Sequence, residues 1–492
     1  MVMSYRQSKI DTANFNWFKS KDSFASLKTI RLVVGTIRGL SPFKIEFSYP
    51  ISVFAGENGA GKSTILALSA CAFHNHKFGY KLVDRKKTYY TFSDFFIQST
   101  EEVPLEGIKI CYEFLHNKWR GSKAGLGWQC RTKKRGGKWS KYKDRVKRSV
   151  VFFGIQRVVP YYERSASRSY KYQFAPTKTS VDRNKRICDI AGKILGKNYC
   201  SYDLHQCGKY FLPHVKVNNN HQAFSYSGYN MGAGESSVFN ILTTLFEAGK
   251  GAMLVIDEIE LALHEKAQKS LMKELKKLCQ EFSCQIICST HSPTILDSVP
   301  PEGRFYIEAY PKSTVITPGI STLYAAGKLS GDKSGELDIY LEDEVAKSIT
   351  RSILPQETRE RVNIKPMGSH EAVIRHLAER YKEGDQRECM AVLDGDQRST
   401  DQSHKGNFKK YLESINDKDE ANAWINERLV YLPGEQWPER WLIEAAKGLL
   451  SDGHAELSDR WGVKPDVLNR IFFDGLNADK HNEFFVISKS LH

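Results

Sequence analysis

The stretch Phe54 to Thr64, FAGENGAGKST, sets glycines, a lysine and hydroxyl side chains in the pattern G-x-x-x-x-G-K-[ST]. Backbone N–H groups can wrap phosphate oxygens only where side chains leave room, and Gly56, Gly59 and Gly61 leave it. Asn58 and Thr64 belong to the same cradle. Lys62 would reach the β- and γ-phosphates and Ser63 would hold Mg²⁺, while a helix beginning near Ser63 would point its positive end at the anion. The ligand such a loop expects is ATP with Mg²⁺. A strand-like run, Ile51, Val53 and Phe54, leads into the loop, and an apolar helix, Ile65, Leu66 and Leu68, leaves it.

A second group of motifs follows in a fixed order. Met231-Gly232-Ala233-Gly234-Glu235-Ser236 opens an apolar helix, Val238 to Phe246. Met253 to Ile256 is an apolar strand ending in Asp257-Glu258, where Asp257 would support Mg²⁺ through water and Glu258 would polarise the water that attacks the γ-phosphate. Glu260, Leu263 and His264 are expected to open a helix running through Leu278, and a strand from Cys284 to Cys288 then ends in Ser289-Thr290-His291. Together with the phosphate loop these resemble the motifs of an ABC or SMC-like ATPase head, over about residues 28 to 310. The resemblance implies that Gly232, Gly234 and Glu235 approach a γ-phosphate bound on a second subunit, and that His291 acts as a switch at that phosphate. It also implies a glutamine that touches Mg²⁺ or the attacking water; Gln98 is assigned that role, with Gln156 competing for it. ATP would then be held between two chains, making the heads the interface of a homodimer or larger assembly.

Acids recur at strand ends later in the chain. Asp338 to Leu341 reads as a strand that ends in Glu342-Asp343-Glu344 and is followed by an amphipathic helix, Val345 to Ile353. Val362 to Met367 is the next strand, closed by Gly368-Ser369 and a helix from His370 to Tyr381; Met390 to Leu393 ends in Asp394-Gly395-Asp396. Carboxylates at the carboxyl ends of successive parallel strands converge on one crevice, and such an oxygen-rich crevice suits Mg²⁺ or Mn²⁺ poised for phosphodiester hydrolysis. This order resembles the Toprim fold of topoisomerases, primases and certain nucleases. Glu342, Asp394 and Asp396 stand at its catalytic and metal-ligating positions, with Glu344 as a helper. The family pattern has Gly directly after the first Glu, where this chain has Asp343. Leu432-Pro433-Gly434 and Pro438-Glu439 resemble the strand and acidic helix start of the nuclease branch, with Glu439 assisting a second metal. No tyrosine-bearing topoisomerase domain and no primase ligand set is evident, so hydrolysis is the chemistry that remains.

These sites need elements to hold them, and the alternation of strands and helices makes the chain α/β throughout. At 492 residues the chain exceeds one core. The expected plan is an ABC-type P-loop ATPase head over 1–315, a linker at 316–336 and a Toprim (Rossmann-like) domain over 337–492. Within the head, strands at 28 to 54 feed the phosphate loop; a basic insertion spans about 115–150, and residues 160–230 are expected to form an irregular or helical insertion. The segment from Arg131 to Ser149, RTKKRGGKWSKYKDRVKRS, is the densest basic patch. Arg131, Lys133, Lys134, Arg135, Lys138, Lys141, Lys143, Arg145, Lys147 and Arg148 are its candidate phosphate contacts, with Trp139 and Tyr142 interleaved. The formal charge of +15 favours the same polyanionic partner, double-stranded DNA first. The cysteines match no disulfide framework and no zinc module, so free thiols are expected. The absence of a signal-like N-terminus and of a long apolar run points to a cytoplasmic protein away from membranes.

An ABC-type head followed by a Toprim domain resembles the overcoming-lysogenisation-defect (OLD) family of nucleases, which includes the Gabija endonuclease and effectors of some retrons. The resemblance implies an ATP-regulated, metal-dependent DNA nuclease acting in antiphage defence, with Mg²⁺, or Mn²⁺ at the Toprim site. It also implies a partner from a defence operon, either a protein or a reverse transcriptase with its noncoding RNA. Three alternatives stay open on the residues alone. They are a regulatory ATPase scaffold with a degenerate Toprim domain that controls a separate toxin, a Toprim RNase cutting transfer RNA, and a DNA-repair ATPase.

Overall fold

Ile51–Gly56, Met253–Ile256 and Gln285–Ser289 are buried at every position, the mark of strands covered on both faces. In the computed structural model they lie side by side in a parallel arrangement. Described are residues 5–491 apart from 21–22, 78, 83–84, 103–104, 118, 120–122, 142, 164–168, 171, 178–179, 209, 220–221, 311–312, 331–334, 360, 384–387, 413–417 and 450. Tyr142 and part of the expected linker lie outside the described residues. The chain divides into two compact units, 5–332 and 333–492.

In chain order the strands of the first unit are β1 (Ser26–Val34), β2 (Phe43–Glu46), β3 (Ile51–Gly56), β4 (Ile108–His116), β5 (Gly125–Lys133), β6 (Val150–Phe153) and β7 (Ala175–Pro176). They continue with β8 (Tyr199–Cys207), β9 (Tyr210–Asn219), β10 (Gln222–Ser227), β11 (Met253–Ile256), β12 (Gln285–Ser289), β13 (Arg304–Tyr310) and β14 (Ser313–Pro318). The central sheet has the order β14-β13-β3-β12-β11-β6. Alternate residues of its strands enter opposite cores. Ile51, Val53, Leu254, Ile256 and Ile286 pack under the helices Val181–Leu195, Ala233–Ala248 and Glu265–Phe282. Phe54, Met253, Val255 and Ile287 pack against the helix Lys62–Ala70 and the antiparallel sheet β2-β1-β4-β5.

Three expectations are corrected here. Residues 160–230 hold a sheet that was not expected: β7 to β10 form a four-stranded antiparallel sheet, with the helix Val181–Leu195 against it. β10 is exposed or half-exposed along its whole length, so its short alternation, Phe224 and Tyr226 against Ser225 and Ser227, does not mark a buried strand. The helix expected from Glu260 begins at Glu265 with His264 as its cap. Glu258 (φ 47°) and Ala262 (φ 61°) are both left-handed, a conformation that a right-handed helix cannot include. Finally, Cys111 and Cys130 are joined by a disulfide rather than being free thiols. They are register partners across β4 and β5, a pairing that residue spacing does not reveal.

The second unit contains β15 (Leu337–Leu341), β16 (Val362–Pro366), β17 (Glu388–Leu393) and β18 (Leu429–Tyr431), all parallel in the order β16-β15-β17-β18. Its two faces are again covered. Ile339, Leu341 and Val392 pack with Ala346 and Ile349 of the helix Glu344–Ile353. Tyr340, Ala391 and Leu393 pack with Val373, Leu377 and Phe408 of the helices His370–Glu383 and Asp401–Tyr411. The helices Pro438–Lys447, Pro465–Leu476 and Glu483–Leu491 share a separate core of Ile443, Leu468, Ile471, Phe472 and Ile487. Among the described residues no helix is long and apolar enough to cross a membrane.

Candidate functional site

In the first unit the phosphate loop follows β3, Asp257-Glu258 follows β11 and His291 follows β12. Since these strands are adjacent and parallel, their carboxyl ends bring the three motifs to one edge. The helix after the loop starts at Lys62, capped by Gly61. Lys62 Nζ donates to the carbonyl oxygens of Gly56 (2.7 Å) and Glu57 (2.9 Å). Burial holds this ammonium below its ordinary pKa, against the opposing pull of Glu258, Asp257 and Glu260. Asp257 accepts from Ser63 Oγ (3.0 Å) through Oδ2 and from Ser289 Oγ (2.5 Å) through Oδ1. The same Ser289 Oγ accepts the Glu258 N–H (2.8 Å), and Glu260 accepts the His291 N–H (2.6 Å) and the Thr290 hydroxyl (2.7 Å). Loop hydroxyl, strand-end acids and histidine loop therefore form one hydrogen-bonded array.

The helix Ala233–Ala248 is capped by Gly232. A Cβ on Gly234 would meet the Ala262 carbonyl oxygen at 2.2 Å, so the residue must be glycine for the helix to seat on that turn; a Cβ on Gly232 would meet nothing within 4 Å. Glu235 is buried rather than open to solvent, and its Oε1 accepts from Lys197 Nζ (3.1 Å), Tyr226 OH (2.6 Å) and Tyr199 OH. Of the competing glutamines, Gln156 follows β6 in the central sheet. Gln98 does not occupy such a position: it is exposed, after the short helix Phe92–Phe95, and its Oε1 accepts the Leu105 N–H (3.2 Å). Arg157 is the residue that sequence reasoning passed over. Its buried guanidinium donates to the carbonyl oxygens of Gly154 (3.1 Å), Asp257 (2.6 Å) and Glu258 and to Ser237 Oγ (3.2 Å), tying the acid-bearing turn to the helix of Glu235. One arginine after an apolar strand carries no local signal of this.

The basic segment is not one surface. Arg131, Arg145 and Arg148 are buried: Arg131 donates to the carbonyls of Cys71 and Ala72, Arg145 to those of Cys71 and Tyr90, and Arg148 to those of Gly251 and Ala252. They knit the fold and are withdrawn as phosphate contacts. Trp139 stacks on Phe92 at 4.1 Å and so belongs to packing. Lys134, Arg135, Lys138, Lys141, Lys143 and Lys147 are exposed, and Lys133 is half-buried with Gly137 as its acceptor. Lys143, Lys147 and Lys250 border a cleft of about 630 Å³ that also takes in His76, Trp119 and Asp144.

In the second unit, Glu342 follows β15 and Asp394 follows the adjacent, parallel β17. Glu342 Oε1 accepts the Asp394 N–H (3.0 Å), and its Oε2 lies 3.7 Å from His370 Nδ1. Gly395 is pressed against the carbonyls of Gly434, Pro433 and Gln436, leaving no space for a Cβ and fixing the Asp394-Gly395-Asp396 turn against the loop before Glu439. Burial raises the Asp394 pKa to about 8, and the charges of Glu342, Asp343, Asp396 and Glu439 add to it. Burial likewise raises Glu342, with the Asp394 N–H and His370 opposing. Asp394 Oδ1 and Glu439 Oε2 are buried without a hydrogen-bond partner. A buried carboxylate oxygen left unpaired among like charges is a place where a divalent cation would be favourable. Glu342 and Asp394 meet directly, but Glu342, Asp394 and Asp396 do not bring one ligand atom each within 4.8 Å of one another.

Glu344 does not join this crevice. It is exposed and pairs with Lys347 (3.0 Å), because the helix start points it to solvent. Its neighbour Asp343 caps that helix, and Asp343 is the residue that approaches Glu439 and His481. The turn before the last helix also brings Lys480 Nζ to Asp396 Oδ2 (3.0 Å) and His481 Nδ1 to Glu439 Oε1 (3.2 Å). Neither Lys480 nor His481 was legible as a site residue, being far along the chain from every acid it meets.

The family described as AAA domain, putative AbiEii toxin, Type IV TA system matches residues 211–297, the stretch from β9 through the Asp257-Glu258 turn to His291. On that similarity the first unit is read as an ATPase head of the AAA type. No curated protein matches the chain. Among solved structures, the SMC head domain from Thermotoga maritima is 16% identical, with 59% of this chain and 98% of that one covered and a TM-score of 0.37. An SmcHead bound to the C-winged helix domain of ScpA is 14% identical, with 59% and 96% covered and a TM-score of 0.40. An Smc head domain with an extended coiled coil, bound to the C-terminal domain of ScpA derived from Pyrococcus furiosus, is 13% identical, with 62% and 99% covered and a TM-score of 0.38.

Proposed function

We propose that this chain is an ATP-regulated, divalent-metal-dependent nuclease that cuts DNA as an effector of antiphage defence, resembling the OLD family in its pairing of ATPase head and Toprim-like unit. The observation that carries the reading is the crevice of Glu342, Asp394 and Asp396, with a buried, unpaired oxygen on Asp394. A cation bound there would activate water and offset charge on a phosphodiester. Glu342 and Asp394 would hold it on the rigid ends of two adjacent strands, and Asp396 would present its carboxylate from the turn braced by Gly395. Lys480, beside Asp396, would meet phosphate charge at the rim. In the first unit, Lys62 would leave its loop carbonyls for the phosphates of ATP, Ser63 and Asp257 would hold Mg²⁺, and Glu258 would orient the attacking water. The description of the matched family as a putative toxin is in keeping with a toxic effector.

The test is supercoiled plasmid incubated with the full chain and Mg²⁺, with and without ATP, beside Asp394→Ala and Lys62→Ala. Cleavage is expected to fall by roughly a hundredfold or more in Asp394→Ala, and its response to ATP is expected to vanish in Lys62→Ala. Intact plasmid in every lane, while ATP is still turned over, would overturn the DNA-nuclease reading and turn attention to RNA.

A further inference from the structure

Asp343, Glu439 and His481 come from three separate places: the cap of the helix Glu344–Ile353, the first turn of the helix Pro438–Lys447, and the turn before the helix Glu483–Leu491. One ligand atom from each lies within 4.8 Å of the other two. Ligands on opposite sides of one ion stand about 4.2 Å apart when each bond is near 2.1 Å, so a small inward shift would close the set around a cation. Each member is held on one side only. Asp343 accepts the Ala346 N–H (2.8 Å) through Oδ1, which fixes the carboxylate and leaves Oδ2 for an ion. Glu439 is 3% exposed and receives His481 Nδ1 at Oε1, while its Oε2 has no hydrogen-bond partner. An interior carboxylate oxygen without a donor is costly unless something positive meets it. Half of the His481 side chain is exposed, which gives an ion a way in.

We infer that Asp343, Glu439 and His481 form a cation centre of their own beside the Glu342, Asp394 and Asp396 crevice, and that its imidazole selects a first-row transition dication over Mg²⁺. The selection follows from the donor set. Mg²⁺ demands oxygen ligands and gives up water reluctantly, whereas imidazole nitrogen favours the transition dications. The nearness of the two groups is reflected in Asp394, whose carboxyl feels both Asp343 and Glu439. The inference deepens the nuclease reading and rests on it only for what the ion would do; the binding itself can be tested without any cleavage.

The experiment uses the full chain, stripped with chelator and titrated with Mn²⁺ in excess Mg²⁺, with free Mn²⁺ followed by its electron paramagnetic resonance signal. Wild type is expected to retain a Mn²⁺ that the Mg²⁺ excess does not displace. His481→Ala and Asp343→Asn are each expected to weaken that binding by roughly tenfold or more. His481 is exposed, and asparagine preserves the cap at position 343, so both variants should fold, as their thermal melts would verify. Unchanged Mn²⁺ binding in both variants, or displacement of all Mn²⁺ from wild type by Mg²⁺, would overturn the inference. A wild type that retains Mn²⁺, with both variants weakened, yet cuts no plasmid would instead count against the nuclease reading alone.

Discussion

Asp394 and Asp11 are both buried carboxylates, and their neighbours push them in opposite directions. Around Asp394 stand other acids, and burial with their charge raises it to about 8. Asp11 has no exposed surface and sits among the hydroxyls of Tyr5, Ser8 and Tyr49 and the ammonium of Lys276 (2.9 Å). Burial alone would raise it, but the hydrogen bonds from Lys276, Ser8 and Tyr49 prevail and hold it at about 2, below the ordinary 3.8. A folded-state value below the unfolded one means stability that is fully present above about pH 4 and is lost as pH falls through 2. Asp11→Asn also leaves the buried Lys276 ammonium without its carboxylate, with the Tyr5 hydroxyl still as an acceptor, and is expected to lower unfolding free energy at neutral pH by about 3 kcal/mol. Thermal melts from pH 7 to pH 2 check both points: the variant should melt lower at neutral pH and fall less steeply below pH 4. Parallel profiles would show that Asp11 does not supply this stability. None of this was legible in the sequence, where Asp11 is one acid in a polar N-terminal helix.

The helix Ala233–Ala248 shows how an element can be recognised from its sequence while its attachments are not. Two glycines before an apolar run locate its start, but their roles differ. Gly234 is enclosed by the Ala262 carbonyl and Gly232 faces open space. Gly234→Ala is expected to force the helix from its seat and lower stability by roughly 2 kcal/mol. Gly232→Leu is expected to change the melt little while reducing ATP turnover at least about tenfold, if that face meets a phosphate on a second subunit. A melting series beside an ATPase assay separates the two; normal turnover in a stably folded Gly232→Leu would remove the open face from the reaction. Glu235 adds what the motif alone did not show, an anchor to Lys197 and Tyr199 on one side of the inserted sheet and to Tyr226 on β10. The inserted sheet itself escaped reading because the alternation on β10, Phe224 and Tyr226 against Ser225 and Ser227, is short and lies at exposed or half-exposed positions.

At the scale of the molecule, two units each place carboxylates at the carboxyl edge of a parallel sheet, one beside a phosphate loop and one beside an acid-rich crevice. The proposed sharing of ATP between heads predicts that Glu258→Gln, slow to hydrolyse, accumulates as a dimer in ATP and Mg²⁺. Light scattering after gel filtration should give twice the chain mass of 56.1 kDa, while Lys62→Ala stays unshifted. A Glu258→Gln chain whose mass is the same with and without ATP would rule out nucleotide-driven pairing. By itself the sequence determined what is local: the phosphate loop, the acids that end apolar strands and the α/β alternation, because each depends on spacing within one element. Tertiary structure alone decided which charges are sites. Composition cannot distinguish Arg131, buried against backbone carbonyls, from exposed Lys134. Nor could spacing bring Asp343 to His481 or Arg157 to Asp257, because those meetings follow from packing between elements far apart in the chain.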